Sequence, residues 1–261
     1  MKICQSMSAL VTGGSSGMGL EYARQLAGRG CRLLLVSNQE KALEEARTDL
    51  SARYGVEVLT HCMDLALSSS ADELFAFCRE RAFMPDLLVL NAGMFFFKEL
   101  SLPDDRRRVD AMLELHVSTP TRLCLLFGEE MKRRGSGAVL LVSSVTAKLP
   151  TPGITLYAAT KAYLRSFGKS MWFEYRPYGV DVTTVCPAAI DTPLYGIKPG
   201  LMRAGLALGL VHKSEWLVRR ALRGVEKRHR VVAPGLMNLL LPALVRLLPA
   251  GIENRLWQRF K

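Results

Sequence analysis

The sequence of 261 residues lacks the features of several protein classes. No two of its six cysteines form a C-x-x-C pair, and in a long chain such cysteines are expected to be reduced, packed thiols. The start, Met1 to Ser6, lacks the apolar run and small-residue cleavage site of a secretory signal. We therefore expect a cytoplasmic protein without a disulfide framework, and we predict no metal site.

The chain also lacks linkers, repeats and low-complexity tracts that would divide it. Its composition, 49% hydrophobic and 23% charged residues, is that of an ordinary globular protein and excludes disorder. Because α/β folds of roughly 200 to 250 residues often form one unit, we predict a single domain spanning residues 1–261.

Acidic residues are scarce relative to basic ones, 24 against 35, which gives a net charge of +11. The basic residues gather at Arg106–Arg108, at Lys132–Arg134 and between Arg219 and Arg230. None of these clusters is interleaved with aromatic residues or forms a reading helix, so we expect no nucleic-acid partner. Solvated helix faces are the favoured interpretation, and attraction to phosphate-bearing cofactors or anionic membranes is the alternative.

Apolar strand-like runs alternate with helical periodicity along the chain, which predicts a doubly wound parallel sheet, the Rossmann fold of the α/β class. The predicted strands are Ser8–Thr12, Cys31–Val36, Val56–Thr60, Asp86–Leu90, Ala138–Ser144 and Val180–Val185, with a seventh candidate at Val231–Ala233. The predicted helices are 20–27, Lys41–Tyr54, Ala71–Arg81, Asp105–Arg134, Tyr157–Tyr175 and Ser214–Arg230, the last with Ser214 as N-cap.

The pattern loosens after Pro187, where we expect a substrate-capping lid over residues 193–213 and an apolar helical tail over 236–261. Residues 231–250 approach the length of a membrane span, but three prolines count against one spanning helix. We favour a segment that packs on the domain, forms a lid or lies at a subunit interface. Peripheral attachment to a membrane is the second interpretation.

Tyr157 and Lys161 are four residues apart, so on a helix they share one face. A nearby ammonium group favours the ionised form of a phenol, whose pKa is ordinarily near 10, and makes it a usable proton donor near pH 7. Ser144 ends a buried strand, at the edge where open parallel sheets hold ligands. Taken alone, the tyrosine and lysine are more often a solvated pair.

A glycine-rich turn from Thr12 to Gly19 lies between a predicted strand and helix, where glycines let backbone amides approach a pyrophosphate. Its candidate contact residues are Gly13, Ser15, Ser16, Gly17, Met18 and Gly19. Asp64 and Leu65 follow the third strand and can hold an adenine. Asn91, Ala92 and Gly93 follow the fourth and leave room for ribose and nicotinamide.

Taken in order, these motifs resemble those of the short-chain dehydrogenase/reductase family, over about Ser8 to Thr192. The resemblance implies hydride transfer between a nicotinamide and a carbonyl carbon. It implies that Ser144 binds the carbonyl oxygen, Tyr157 donates the proton, and Lys161 stabilises the tyrosinate and holds the nicotinamide ribose. It also places Pro187, Ile190 and Thr192 at the nicotinamide.

Two positions depart from the family pattern. His116 stands where the family often has a catalytic asparagine, and Ala188 stands where it usually has glycine. Since the asparagine supports a water chain from the lysine, we count His116 among the catalytic candidates. A buried histidine that fills a bend in the helix is about as well supported.

Cofactor choice depends on the end of the second strand, where Ser37 and Asn38 stand in place of an acid. Without that acid a 2'-phosphate meets no repulsion, and Ser37, Asn38 and Lys41 can donate hydrogen bonds to it. The arginine common in NADP-preferring members is missing. We expect NADP(H) to be favoured over NAD(H).

Residues 149–161 and 234–249 resemble the branch that contains 17-beta-hydroxysteroid dehydrogenases and long-chain 3-oxoacyl-CoA reductases. This implies a ketone or secondary alcohol of an apolar, steroid or lipid-like substrate. A 3-oxoacyl-thioester reductase is the alternative, and a catalytically weakened cofactor-binding sensor or scaffold is the third hypothesis. The family also implies a homodimer or homotetramer through the helices that contain Leu123 and Tyr157.

Overall fold

The computed structural model describes residues 2–97, 105–149, 152–191, 211–247, 249, 251–252, 255 and 258. A parallel sheet of seven strands lies at its centre, in the order β3, β2, β1, β4, β5, β6, β9. These strands are β1 Ser8–Thr12, β2 Arg32–Ser37, β3 Val58–Cys62, β4 Leu87–Leu90, β5 Gly137–Val142, β6 Val180–Val185 and β9 Val231–Val232. The predicted Rossmann fold is confirmed.

Helices cover both faces of the sheet, as the nearly continuous burial of the central strands requires. Their bounds are α1 Gly17–Ala27, α2 Glu40–Tyr54, α3 Ser70–Glu80, α4 Arg106–Leu113, α5 Thr119–Arg134, α6 Thr155–Tyr175, α7 Ser214–Glu226 and α8 Met237–Leu247. Side chains of α1, α2 and α7 pack in one core, and side chains of α3, α5 and α6 pack in the other.

The direction of the strand order reverses at β1, which pairs with β2 on one side and with β4 on the other. A crevice forms at such a reversal because the connections leave β1 and β4 toward opposite faces of the sheet. The segments that follow β1 and β4, the glycine-rich turn and Asn91–Gly93, therefore meet at one edge of the sheet.

Several predicted bounds differ from the structure: the third strand is Val58–Cys62 and not Val56–Thr60, and the helix predicted to end at Arg230 ends at Glu226. The helix predicted over Asp105–Arg134 is interrupted by a π-helical turn, Glu114–Ser118, which carries His116. Ser214 is the first helical residue of α7, flanked by Lys213, and no side chain caps that end. Of the expected lid, residues 193–210 lie outside the described part, whereas β8 (Val211–Lys213) pairs in parallel with β7 (Ala189–Asp191).

The apolar tail begins with α8, whose side chains Met237, Leu241 and Val245 pack on a small cluster formed by Val145, Leu149 and Ala188. Pro242 lies inside this helix. None of the described helices combines the length and apolarity needed to cross a membrane. All six cysteines are free thiols.

Candidate active site

The turn between β1 and α1 is closed by glycines that no other residue can replace without strain. The N–H of Gly13 donates to the Val36 carbonyl oxygen at 2.7 Å, and Gly13 has a φ of +66°. A Cβ atom on Gly19 would overlap the carbonyl group of Gly13. The close approach of the first turn of α1 to this turn therefore depends on the missing side chain.

A cavity of about 560 Å³ opens beside this turn and runs to Tyr157 and Lys161. Its lining includes most residues predicted to bind a cofactor: Gly13, Ser15, Ser16, Gly17, Met18, Ser37, Asn38, Asp64, Leu65, Asn91, Ala92, Gly93, Tyr157, Lys161 and Pro187. It also includes residues that the motifs did not single out: Gln39, Met63, Ala66, Met94, Ala111, Leu115, Val142 and Ser143. Gly19, His116, Ser144 and Ile190 are not among the lining residues.

Asn91 is fixed at the end of β4 by Thr12, a residue that the sequence reasoning missed. The backbone N–H of Asn91 donates to Thr12 Oγ1 at 3.0 Å, and Asn91 Nδ2 donates to the Thr12 carbonyl oxygen at 3.1 Å. Asn91 Oδ1 is buried and has no hydrogen-bond partner among the described residues. Because a buried acceptor is normally satisfied, this oxygen fits a ligand hydroxyl group in the cavity.

At the other end of the cavity, Ser15 Oγ and Ser37 Oγ lie 2.9 Å apart. Ser37 Oγ also accepts a hydrogen bond from the Gln39 N–H at 3.3 Å. The carboxylate of Asp64 accepts a hydrogen bond from the Ala66 N–H at 3.0 Å, which orders the loop after β3. Together with the glycine turn, these groups fit the phosphates, ribose and adenine of a nicotinamide dinucleotide.

Lys161 and Tyr157 are both nearly inaccessible to solvent, each with 4% of its surface exposed. Lys161 Nζ donates to the Val142 carbonyl oxygen at 3.0 Å and lies 5.6 Å from the centroid of the Tyr157 ring. Burial disfavours the charged ammonium and lowers the pKa of Lys161 to about 8. The helical spacing predicted from the sequence thus brings the cation and the phenol together.

Ser144 lies two residues beyond β5 in an extended conformation, at the start of a short 3₁₀ turn, Val145–Lys148. Its Oγ is buried and accepts a hydrogen bond from the Thr146 N–H at 3.2 Å. The hydroxyl hydrogen of Ser144 remains able to donate. The predicted strand end at Ser144 is therefore a turn that orients the hydroxyl group.

His116 is buried, and protein groups engage both of its ring nitrogens. Nε2 accepts a hydrogen bond from the Met94 N–H at 2.9 Å, and Nδ1 lies 3.0 Å from Thr160 Oγ1. Because Thr160 Oγ1 itself donates to the Tyr157 carbonyl oxygen, the proton belongs on Nδ1 and the ring is neutral. Burial, followed by the charge of Lys161, lowers the pKa of His116 well below its usual value.

The residues after β6 pack in two different parts of the protein. The Pro187 carbonyl oxygen accepts a hydrogen bond from the Val145 N–H at 2.7 Å. The methyl group of Ala188 packs in the cluster with Val145 and Leu149, so the substitution for glycine is accommodated. Ile190 is buried in the core on the α1 side of the sheet, and Thr192 lies outside the described residues.

A tyrosine acid beside a buried ammonium, at the end of a dinucleotide-sized cavity, is the arrangement of a nicotinamide-dependent oxidoreductase. The sequence model of the short chain dehydrogenases matches residues 7–198. The chain belongs to this family, which confirms the resemblance drawn from the motifs. Across the described part of the chain, no group of three or more histidine, cysteine or acidic side chains is placed to hold a metal.

Relatives and solved structures agree with this assignment. A very-long-chain 3-oxoacyl-CoA reductase of Rattus norvegicus is 29% identical over 244 residues, which cover 90% of this chain and 75% of that protein. A 17-beta-hydroxysteroid dehydrogenase type 3 of Danio rerio is 29% identical, with 94% and 78% covered. A short-chain dehydrogenase of Sphingobium yanoikuyae, solved with NADPH, is 28% identical with a TM-score of 0.78, covering 93% and 96%.

Proposed function

We propose that the protein is an NADP(H)-dependent oxidoreductase that interconverts a ketone and a secondary alcohol on a steroid or lipid-like substrate. The observation that carries the substrate class is the apolar cluster around Tyr157. It contains Met112, Ile154 and Tyr157, with Met94, Phe95, Phe96 and Leu156 packed against them. A side of the site built this way favours an apolar substrate, in keeping with the names of both relatives.

Three side chains carry the proton chemistry in this proposal. Ser144 donates a hydrogen bond to the substrate oxygen, and Tyr157 transfers the proton to that oxygen in the reductive direction. Lys161, held by the Val142 carbonyl, stabilises the tyrosinate. The bound nicotinamide supplies or accepts the hydride.

NADP(H) is favoured over NAD(H) because the adenosine end of the cavity presents Ser37, Asn38 and Gln39, none of which is an acid. The first acid after β2 is Glu40, which begins α2 and is not among the residues that line the cavity. A carboxylate at one of the first three positions would repel a 2'-phosphate, whereas hydroxyl, amide and backbone N–H groups donate to it. The NADPH in the solved relative from Sphingobium supports this choice. Gly13, Ser15, Ser16, Gly17, Met18, Asp64, Leu65, Asn91 and Pro187 would hold the rest of the cofactor.

His116 acts in this proposal as a positioning residue. Its ring joins the backbone of Met94 to Thr160, and Thr160 in turn bonds the backbone of Tyr157. Since both nitrogens are occupied by protein groups, the ring orients the loop after β4 relative to α6. The water relay through His116 that the sequence allowed would require one of these bonds to break.

The remaining features of the proposal concern the whole protein. It acts in the cytoplasm as a homodimer or homotetramer, with 1–261 as one dehydrogenase domain and 193–213 as its lid. Leu123, on the helix expected at the subunit contact, is itself buried, whereas Leu125 on the same helix is 58% exposed. Reduction of 3-oxoacyl thioesters is the second candidate, favoured by the name of the relative from Rattus norvegicus.

The test is steady-state oxidation of NADPH and NADH against steroid ketones, 3-oxoacyl thioesters and small water-soluble ketones. We expect turnover with an apolar ketone and a higher kcat/KM with NADPH. A preference for NADH would overturn the cofactor assignment. Tight NADPH binding with no turnover of any substrate would favour the sensor or scaffold hypothesis.

A further inference from the structure

Helix α8 is apolar on two neighbouring faces, which lie about 100° apart around the helix axis. Its inner face packs on the cluster of Val145, Leu149 and Ala188. The outer stripe consists of leucines exposed by 66%, 41%, 59% and 80%, at positions Leu236, Leu240, Leu244 and Leu247. Steps of four, four and three residues place these side chains on one helix face, so the stripe is continuous and points away from the protein.

The helix is held in this orientation at its start. Asn238 Nδ2 donates to the Pro234 carbonyl oxygen at 2.8 Å, and Lys148 Nζ donates to the Asn238 carbonyl oxygen at 3.4 Å. Because the inner face is already packed and anchored, rotation of the helix cannot bury the outer stripe. No described part of the chain covers these leucines, so within that part they stay in water unless a partner covers them.

The size and charge of the surface indicate what covers it. Four leucines expose only a few hundred Å², well below the roughly 800 Å² that each partner buries in a stable protein interface. Residues 236–261 carry Arg246, Arg255, Arg259 and Lys261 against Glu253 alone. Apolar side chains on a short helix within a basic segment are typical of helices that lie on anionic membranes.

We infer that the outer stripe of α8 docks on the surface of an anionic phospholipid bilayer. The leucines enter the boundary between headgroups and acyl chains, and the helix lies in the plane of the membrane. Its inner face contacts Val145, which begins the 3₁₀ turn that follows Ser144. Docking of α8 therefore brings Ser144 close to the lipid. This last consequence rests on the proposed function, in which an apolar substrate passes from the bilayer to the site.

The test is flotation of the full chain with phosphatidylcholine vesicles that contain or lack phosphatidylglycerol. We expect the wild-type protein to float with the anionic vesicles and less with the neutral ones. The double variant Leu240→Glu/Leu244→Glu should bind roughly tenfold more weakly. Leu67→Glu/Tyr178→Glu is the matched control, since it adds the same two charges at side chains that are each 55% exposed and lie outside α8, and it should bind like the wild type.

Equal flotation of the double variant and the wild type would overturn the inference. So would a wild-type dimer that the double variant converts to monomer while neither protein floats, because the stripe would then contact a second copy. Turnover of a steroid ketone is measured in parallel on the same proteins without vesicles. Absence of turnover in every protein, the wild type included, with flotation intact, would contradict the proposed function and leave the membrane surface standing.

Discussion

At the scale of single residues, Tyr157 is the group whose role is most sharply testable. We expect Tyr157→Phe to lower kcat by at least about 100-fold, the scale of general acid catalysis, with NADPH affinity within about twofold of the parent. Turnover is followed by NADPH absorbance and affinity by fluorescence titration.

Tyr163→Phe is the matched control for this variant. It removes a phenolic hydroxyl from the same helix, where Tyr163 bonds Thr121, and we expect nearly full activity. Turnover by Tyr157→Phe at the wild-type rate would show that another group supplies the proton.

His116 offers a second test, because a positioning role affects kcat/KM alone, whereas a role in proton relay also affects the pH dependence of the rate. A neutral ring that bonds Met94 and Thr160 does not titrate near pH 6 to 7. We therefore expect His116→Asn to lower kcat/KM several-fold while the apparent pKa values of the pH–rate profile stay unchanged. Thr160→Val, which removes the partner of Nδ1, should act in the same direction. Loss or gain of a limb in the His116→Asn profile would instead indicate a relay.

At the scale of elements, the turn between β1 and α1 depends on a contact that leaves no space for a methyl group. Gly19→Ala forces the carbonyl of Gly13 to move, so the backbone amides lose their alignment on the phosphates. We expect NADPH affinity to fall by at least about tenfold, the loss of one to two charge-assisted hydrogen bonds, as measured by titration calorimetry.

Gly55→Ala is the control for Gly19→Ala. Gly55 ends α2 with a φ of +66°, and nothing lies within 4 Å of an added Cβ. This substitution should cost about 1 kcal/mol of stability through backbone strain and leave NADPH affinity unchanged. Equal affinities for Gly19→Ala and the parent would show that the turn adapts.

The helices and strands also show how much of the fold the local sequence pattern predicts. The strands and most helix ends could be predicted because buried parallel strands are short apolar runs and helices repeat every 3.6 residues. The π-helical turn at Glu114–Ser118 could not, because it has no local periodic signal. It places His116 between Met94 and Thr160, which are distant in sequence, and only the folded chain reveals that juxtaposition.

At the scale of the whole molecule, the motifs lie around one cavity because the topology brings the ends of β1, β4 and β5 to one edge of the sheet. Thr12 escaped notice since its role is to bond Asn91, 79 residues away. The burial of Lys161 was also beyond the sequence, which favoured a solvated pair when the motif was taken alone. That burial is a property of the packed fold, and it couples the protonation of Lys161 to the stability of the whole protein.

The burial of Lys161 makes the stability of the protein increase with pH. The pKa of Lys161 is about 8 when folded against 10.5 for a free side chain, so between these values the unfolded chain binds more protons. Stability attributable to Lys161 therefore rises with pH through this window, by up to roughly 3 kcal/mol, and the cost of the buried charge is fully present below pH 8. We expect the free energy of unfolding of the wild type, relative to that of Lys161→Met, to increase from pH 8 to 10. It is measured by urea denaturation without cofactor. Lys169→Met, on the same helix but partly exposed, should track the wild type. Parallel curves for wild type and Lys161→Met would mean that the ammonium group is hydrated in the folded protein.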